Sequence, residues 1–556
     1  MLIMKDKLTI TINNGKMLEV AVNTKIIDII GLLPENIRNK VIGAKINNEI
    51  MDFNTSLKRD TTINFFDVND LAGYKMYQAG LKFVLEAALK DIYKDEFEVV
   101  FNHSIMRGIH ANIVGDRAFT LEDVKRVREQ MSKIILEDLP FRKLNVDSKE
   151  AYNYFYKMGE IEKSWNIHNI TNQVVLLYKL ENYINYYYGE MPYSTRCLSK
   201  YDLVYLNDNE IVLMFPNPRS KNEVPEYVHY GKIIECFKNE KKWLERLGIP
   251  YVYQVNKKVS SSEIKELIRM SEVNFDSKIH EITRRALTLG KKYIMVAGPS
   301  SSGKTTTTKK IALDLEAQGI KTLLISVDDY FKNRCDTPKN EDGSYNFECM
   351  EAIDLVSLNH DLKALGDGEE VRLPRFNFIT GKREYYEYPV KLESDAVILM
   401  EGLHCLNREL TPDIPDEEKF LVYLSPFMPL NIDRHNYIST TDLRLIRRMI
   451  RDNRTRGYDV SKTIDSWQSV RRGEEKYIFP YVHQADMVVN TSLVYELGVL
   501  KVFAEPILYS VDNTSVYYEE ARRLISFLKS YFPISSEYIS DSSVLREFIG
   551  GSYFEK

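Results

Sequence analysis

Hydrophobic and polar residues alternate in two short stretches near the start of the chain, residues 8–12 and 18–22. Alternation is typical of strands with one buried face, and the Asn13-Asn14-Gly15-Lys16 stretch between them is a turn sequence, so the pattern predicts a β-hairpin. We expect a short helix around residues 26–32 and further strands at residues 41–46 and 62–66. Residues 1–68 are therefore predicted to form a small β-rich module.

Apolar residues recur at helical spacing after the prolines at positions 216, 218 and 225, which interrupt regular structure. This periodicity predicts a helix over residues 233–247. Three serines before Glu263 give the start signal of a second helix, which we expect to reach about residue 270. A third helix is expected at about residues 276–289, so residues 219–290 are predicted to be a helical linker.

A continuous apolar run, residues 293–297, precedes a stretch with the spacing G-x-x-x-x-G-K-T, and a helical pattern over residues 306–318 follows it. Strand, glycine-rich loop and helix is the order that a phosphate-binding loop requires. Lys304 is then placed to reach the β- and γ-phosphates of ATP, and the Thr305 hydroxyl is placed to ligate Mg²⁺. The candidate nucleotide-binding residues of the loop are Gly298, Ser300, Ser301, Ser302, Gly303, Lys304, Thr305 and Thr306.

Two further predicted strands end in acidic residues. Residues 322–327 lead into Asp328 and Asp329, and residues 396–400 lead into Glu401. Strands alternate with helices over residues 291–490, which predicts a parallel α/β sheet whose strand ends line a ligand crevice. Acids beside a phosphate-binding loop are what Mg²⁺-dependent phosphoryl transfer requires, so Thr305 and Glu401 are the candidate metal ligands.

Residues 442–456 combine a cationic and an apolar side at helical spacing. The cationic side consists of Arg444, Arg447, Arg448 and Arg451. Beside a triphosphate, such a side would neutralise the transferred charge, as a lid does. A solvated basic helix face and a nucleic-acid-binding patch are the alternatives.

Composition narrows the class of protein. The 556 residues suffice for about three or four domains. The net charge of −5 argues against a globally basic nucleic-acid binder. The five cysteines include no C-x-x-C pair, which argues against disulfides or structural zinc and fits the cytoplasm. The first residues lack the apolar core of a signal peptide, and no run approaches the roughly eighteen apolar residues of a membrane span.

Several motifs occur in one order along the chain: AGPSSSGKT, SVDDYF, NFE…AID, PRFNF…GKR, VILMEGLH, DLRLIRRMIRDNRTRGYD and ADMVVN. Together they resemble the uridine kinase / phosphoribulokinase family. The resemblance implies an ATP-dependent nucleoside kinase in which Asp328 is the base for the sugar 5′-hydroxyl. It also implies that Glu348, in place of the usual Asp, contacts the ribose, and that Arg444 contacts the substrate. Arg447, Arg448 and Arg451 would serve the phosphates, with Lys304 and Arg447 among the catalytic groups.

The same motifs supply the other candidate substrate contacts, Tyr330, Phe331, Phe376, Arg383 and His404. Two positions depart from the pyrimidine-kinase pattern, because a tyrosine becomes Phe376 and the histidine that contacts the base becomes Gly381. Both changes remove groups that would hydrogen-bond the nucleobase, so uridine is only the family default.

The front of the chain resembles two modules of threonyl-tRNA synthetases. Residues 1–68 resemble the β-grasp-like TGS domain, and residues 69–218 the α+β second additional domain that edits mischarged tRNA. The H-x-x-x-H positions of that editing site are here Ala79 and Phe83, and neither cysteine nor histidine occurs within residues 186–195, where the later part of the site falls. The resemblance therefore implies a retained fold without editing chemistry. His103 and His110 are expected on opposite faces of a strand, as isolated residues rather than a metal pair.

The sequence thus predicts a multidomain α+β and α/β protein that ends in a helical extension. Residues 491–556 are expected to contain a helix at residues 517–531 and to pack on the kinase domain, residues 291–490. The leading hypothesis is a nucleoside kinase that uses ATP and Mg²⁺. An RNA- or tRNA-linked nucleotide sensor that binds nucleic acid through residues 1–218, and a kinase of another small hydroxyl compound, are the alternatives. The oligomeric state stays open.

Overall fold

The computed structural model describes residues 7–13, 15–104, 108–169, 173–218, 220, 222–340, 343, 345–393 and 395–555. The first module is a five-stranded sheet of order β2-β1-β5-β3-β4, in which the central pair β1–β5 is parallel. Its elements are β1 (Lys7–Ile12), β2 (Lys16–Ala21), α1 (Ile26–Gly31), α2 (Glu35–Arg38), β3 (Gly43–Ile46), β4 (Glu49–Ile50) and β5 (Thr61–Phe66). The predicted hairpin is confirmed, with Leu8 paired to Val20.

The second module contains two antiparallel sheets, of orders β11-β12-β7-β6 and β10-β9-β8. Its elements are α3 (Leu71–Tyr93), β6 (Phe97–His103), β7 (Gly108–Gly115), α4 (Leu121–Leu136), β8 (Arg142–Asp147), α5 (Ser148–Lys157), α6 (Ile161–Asn169), β9 (Val174–Leu180), β10 (Tyr183–Asn185), β11 (Asp202–Asn207) and β12 (Glu210–Met214). Helix α3 is buried along most of its length because the sheets and the rest of the protein enclose it.

Two expectations for this part of the chain are wrong. His103 closes β6 and His110 lies in the antiparallel β7, so the two are cross-strand partners whose rings stack 4.4 Å apart. Three helices connect the modules, α7 (Gly231–Arg246), α8 (Val252–Ser260) and α9 (Ile264–Thr288). Helix α9 is continuous where two helices were expected, because Ser271 and Phe275 pack into the core and carry the apolar face across the supposed gap.

The remaining chain is built on a parallel sheet of order β14-β19-β13-β20-β23. Its elements are β13 (Tyr293–Ala297), α10 (Lys304–Ala317), β14 (Thr322–Ser326), α11 (Leu355–Gly366), β15 (Glu370–Val371), β16 (Pro374–Asn377), β17 (Lys382–Tyr385), β18 (Val390–Lys391), β19 (Val397–Glu401), β20 (Lys419–Ser425), β21 (Asn431–Asp433), β22 (Asn436–Tyr437), α12 (Thr440–Arg456), α13 (Val460–Tyr477), β23 (Met487–Asn490), α14 (Glu496–Tyr509), α15 (Tyr518–Leu528) and α16 (Arg546–Ile549).

Strand β13 shows why the apolar run in the sequence is unbroken. All five residues of the strand are buried. Ile294 and Val296 join the core under α9, α12 and α14, whereas Tyr293, Met295 and Ala297 join the core under α7 and α11. A parallel sheet covered on both faces needs apolar residues at consecutive positions. The predicted α/β sheet is confirmed.

The hairpin β21–β22 inserts into the second module. Asn431 Nδ2 donates to the Phe101 carbonyl at 2.8 Å, and the Phe101 N–H donates to the Arg434 carbonyl at 2.9 Å. Inside the module, Lys163 Nζ lies 2.6 Å from His435 Nδ1 and 2.6 Å from Glu160. Lys163 thus contacts two of the three buried groups, Glu86, Glu160 and His435, whose ligand atoms lie within 4.8 Å of one another. The hairpin leads directly into α12, so the second module is joined to that helix.

Within the part of the chain that the structure describes, none of the helices has the combination of length and apolarity needed to span a bilayer.

Candidate active site

The loop between β13 and α10 is closed so tightly that it requires glycine at two positions. A Cβ on Gly298 would lie 2.5 Å from the Leu424 carbonyl oxygen. Gly303 has a φ of +85°, and a Cβ there would lie 2.5 Å from Val544. Both contacts are shorter than any side chain tolerates, so the two glycines of the motif are sterically required.

The loop presents donors that lack protein acceptors. The hydroxyls of Ser301, Ser302 and Thr307 are buried and have no hydrogen-bond partner among the described residues. Helix α10 begins after Gly303 without a capping side chain of its own. Lys304 is half-buried, and its Nζ donates to the Pro299 carbonyl at 3.3 Å. Buried donors at a helix N-terminus, beside a lysine, fit the oxygens of a polyphosphate.

Glu401 lies at the same level as the end of the neighbouring strand. The register pairs Glu401 with Ser326 on one side and Val296 on the other. The Thr305 and Ser326 hydroxyls each donate to Glu401 Oε1 at 3.3 Å. A carboxylate beside a threonine hydroxyl is a donor set that suits Mg²⁺, so the predicted metal ligands Thr305 and Glu401 are brought together. Burial raises the pKa of Glu401 to about 7, against the attraction of Lys304.

Asp328 and Asp329 follow β14 and diverge. Asp328 is half-buried; burial raises the pKa of its carboxyl, while Lys304, Arg456 and Arg451 hold that pKa down. Asp328 also raises the pKa of Glu401, so the Asp328 carboxyl faces the crevice that holds Glu401 and Lys304. Asp329 turns the other way, and its Oδ1 accepts the Phe376 N–H at 3.1 Å.

Glu348 adds a third acid to the crevice. Burial, followed by repulsion from Glu474, raises the pKa of Glu348 to about 7, whereas Arg448 lowers it. Gly473 of α13 makes room for this side chain, because a Cβ at position 473 would lie 2.6 Å from the Glu348 Cβ. His404 is buried against Tyr477, with ring centroids 5.6 Å apart, and burial lowers its pKa to about 4.

Two of the predicted lid arginines are buried and hold the phosphate-binding loop. Arg444 pairs with Glu474, and its Nε donates to the Ser300 carbonyl at 2.9 Å. Glu474 in turn accepts the Ser300 N–H at 3.2 Å. Arg447 pairs with Glu496 at 2.6 Å, and its Nη1 donates to the Ser301 carbonyl at 3.4 Å.

The other two lid arginines, Arg448 and Arg451, are half-buried, and both are placed by Asp452. Arg448 Nη1 donates to the Ser300 hydroxyl at 2.9 Å, and its Nε lies 3.2 Å from the Asp452 carboxylate. Arg451 contacts the same carboxylate at 3.2 Å. Arg456 and Arg451 act on Asp328, and Arg448 acts on Glu348, so these three arginines supply positive charge to the crevice from α12.

Four predicted substrate contacts have protein partners. The Tyr330 hydroxyl donates to Asp361 at 3.0 Å, and Arg383 pairs with Asp354 at 2.9 Å. Phe331 and Phe376 pack edge-to-face with ring centroids 5.6 Å apart, in an aromatic cluster with Phe347 and Phe378. The structure brings together Lys304, Asp328, Glu348 and Glu401, whose charges act on one another.

A sequence model of the phosphoribulokinase / uridine kinase family matches residues 293–496. The uridine kinase of Macrococcus caseolyticus is 30% identical over 197 residues, which cover 35% of this chain and 86% of that kinase. This chain belongs to the phosphoribulokinase / uridine kinase family. The uridine kinase of Staphylococcus aureus strain Newman is 27% identical over the same length and share.

Other similarities cover other parts of the chain. The N-terminal region matches the threonine–tRNA ligase of Desulforamulus reducens, with 28% identity over 167 residues that cover 30% of this chain. The chain spans about a quarter of that ligase, 26% of its length. A solved structure of a possible uridine kinase from Bacillus stearothermophilus is 21% identical, covers 38% of this chain and 98% of that one, and has a TM-score of 0.24.

Three acids of the kinase site escaped the motif analysis. Glu474 and Glu496 neutralise the buried arginines, and Glu547 of α16 accepts the Thr306 N–H at 3.3 Å. Glu496 and Glu547 lie within residues 491–556, which were predicted only to pack on the kinase domain, and Glu474 lies between two quoted motifs. The buried arginines were the available signal, because a buried guanidinium requires a carboxylate partner.

Proposed function

We propose that this family member is a nucleoside kinase, which transfers the γ-phosphate of ATP to the 5′-hydroxyl of a nucleoside. The observation that carries the proposal is the position of Asp328. Its carboxyl lies in one crevice with Lys304 of the phosphate-binding loop and with Glu401, and burial raises its pKa. A carboxylate with a raised pKa is a better acceptor for an alcohol proton than a solvated one.

Each residue of the crevice has its own proposed role in phosphoryl transfer. Thr305 and Glu401 would hold Mg²⁺, which neutralises charge on the transferred phosphoryl group. Lys304 binds the phosphates, and Arg448 and Arg451 stabilise the charge that develops during transfer. Asp328 takes the hydroxyl proton, and Glu348 binds the ribose. Arg444 and Arg447 act as positioning residues, because each holds a carbonyl of the loop and is neutralised by a buried carboxylate.

The preference among nucleobases is assigned to Arg334. The resemblance puts a base contact at position 381, where the chain has Gly381 with a φ of +69°. A Cβ at that position would lie 2.8 Å from Arg334 Nε, so the guanidinium fills the space of the missing side chain. Because a guanidinium only donates hydrogen bonds, it favours a base with a carbonyl at C4 of a pyrimidine or C6 of a purine over a base with an amino group at that position. We therefore expect uridine to be preferred to cytidine, and guanosine to adenosine.

The test is an acceptor panel. The protein is incubated with Mg-ATP and each of the four ribonucleosides, with glycerate and a sugar phosphate as acceptors of another class, and the products are separated and identified. Formation of a nucleoside 5′-monophosphate, faster from uridine than from cytidine, supports the proposal. Phosphorylation of a non-nucleoside acceptor alone would contradict it. Arg334→Met should reduce the preference for uridine without abolishing turnover.

The proposed substrates and ATP are compounds of the cytoplasm, where we place the enzyme.

A further inference from the structure

We propose that the C-terminal tail, residues 536–555, caps the nucleotide site, and that Glu547 competes with nucleotide phosphate for the start of α10. The inference rests on the proposed role of the 298–306 loop in binding ATP, but it does not depend on the acceptor. It assigns to the tail a function that the family motifs of residues 293–496 do not contain.

The central contact is a hydrogen bond from the phosphate-binding helix to the tail. The Thr306 backbone N–H donates to Glu547 Oε2 at 3.3 Å. Thr306 is the third residue of α10, and Gly303 before the helix has no side chain with which to cap it. The first N–H groups of a helix lack partners within the helix and attract anions. Glu547 is therefore the anion that this helix binds in the absence of nucleotide.

Several contacts hold the tail over the loop from both sides. Val544 packs against Gly303, and Lys309 Nζ donates to the Phe554 carbonyl at 2.8 Å. Arg454 of α12 donates to the Glu547 carbonyl at 3.2 Å and pairs with Glu555 at 2.5 Å. These contacts fix the backbone of the tail, so the Glu547 carboxylate is positioned by the tail rather than by a strong bond of its own.

Electrostatics make the contact incompatible with a bound triphosphate. Glu547 Oε2 already accepts one of the first N–H groups of α10. A triphosphate brings further negative charge to the same N–H groups, and two anions cannot share them. At 3.3 Å the hydrogen bond to Glu547 is longer than the usual 2.9–3.0 Å of an N–H···O bond, as expected for a carboxylate that a phosphate group can displace.

Glu547→Gln tests the competition, because glutamine has the same shape and no charge. Glu537→Gln is the matched control: Glu537 is exposed on the same tail, and the substitution changes the net charge equally. The Kd of ADP is measured by calorimetry for both variants and for the wild type, and the melting temperature of each variant verifies its fold. We expect Glu547→Gln to bind ADP about three- to tenfold more tightly and the control to be unchanged.

Hydrogen exchange of the wild-type protein provides an independent measurement. Amides of residues 543–555 should exchange faster when ADP saturates the site, because the carboxylate and its segment leave the helix. An unchanged or weaker ADP affinity of Glu547→Gln would overturn the proposal, as would unchanged exchange of the tail. Only ADP binding is measured in these experiments. A wild-type protein that binds ADP but phosphorylates no nucleoside would therefore contradict the proposed function and leave the proposed role of the tail unaffected.

Discussion

Replacing Glu474 with glutamine should destabilise the protein and weaken nucleotide binding together. Glu474 is fully buried; the Arg444 guanidinium donates to both of its carboxylate oxygens, and Arg471 also donates to Oε2, at 3.0 Å. The same carboxylate accepts the Ser300 N–H, and Arg444 donates to the Ser300 carbonyl. The pair therefore holds both the N–H and the carbonyl of one residue, Ser300, in the phosphate-binding loop.

The magnitude follows from the burial of both partners. The side chains of Arg444 and Glu474 are 1% and 0% exposed, so neither charge can recover hydration when the other is lost. Removing one member of a buried pair costs about 3–5 kcal/mol, because an unpaired charge stays in the interior. Glutamine keeps one acceptor oxygen, which leads us to expect the lower end, about 3 kcal/mol.

The assay compares thermal melting and ADP affinity in three variants. Glu474→Gln is measured beside Asp465→Asn, which removes an exposed carboxylate from the same helix α13. The third variant combines Glu474→Gln with Arg444→Met and removes both charges. Because part of the cost arises from the unpaired Arg444, the double variant should recover that part, whereas the loss at Arg471 remains in both variants.

Two results would refute this reasoning. A Glu474→Gln protein that melts and binds ADP like the Asp465→Asn control would mean that the pair does not support the loop. A double variant that is less stable than Glu474→Gln by the full cost of a second independent loss would mean that the two residues are not coupled.

Two further predictions concern pH. Glu348→Gln should raise the free energy of unfolding by about 1–2 kcal/mol above pH 7, because burial raises the pKa of Glu348 from 4.5 to about 7. The buried charge of Glu348 destabilises the folded protein increasingly as the pH rises from 4.5 to about 7. Melting temperatures of the variant and the wild type should therefore differ little at pH 5. Equal gains at pH 5 and pH 8 would contradict this. Asp442→Asn should cost about 2 kcal/mol at neutral pH, because Arg523 and Lys75 lower the pKa of the buried Asp442 from 3.8 to about 2. That contribution is lost as the pH falls through this range, so a difference in melting temperature that persists near pH 2 would count against the pairing.

The loop, its strand and its helix could be predicted because their determinants are local. The apolar run of β13 and the two glycines of the motif lie close together in the chain, so the motif is visible in the sequence although the groups that exclude a Cβ, Leu424 and Val544, lie far away. The acids at the ends of β14 and β19 followed from the same logic, since parallel strands end at one edge.

The division among the arginines could not be predicted from spacing. Arg444, Arg447, Arg448 and Arg451 are equivalent in a helical pattern. The carboxylates that pair with the first two, Glu474 and Glu496, lie 30 and 49 positions farther along the chain. Glu474 and Glu496 bury the first two, whereas Asp452 leaves the others at the crevice. The partners of a buried charge depend on tertiary packing, which no periodicity records.

Pairing across the chain explains the other differences. His103 and His110 are cross-strand partners because β6 and β7 form a hairpin. The hairpin could not be predicted, because residues 105–107 of the sequence include none of the usual turn-forming residues. The Glu547 contact joins residues 241 positions apart, and only the folded tail reveals it.

The central claim is that Asp328 accepts the proton of the acceptor hydroxyl, and its neighbour provides the control. Steady-state turnover of the preferred nucleoside is measured for Asp328→Asn and Asp329→Asn, after both variants are shown to melt like the wild type. We predict that kcat falls at least about a hundredfold in Asp328→Asn, the usual contribution of a general base. Asp329→Asn should stay near wild type, because its Oδ1 faces the Phe376 N–H and asparagine keeps that acceptor. Equal turnover in the two variants would contradict the account.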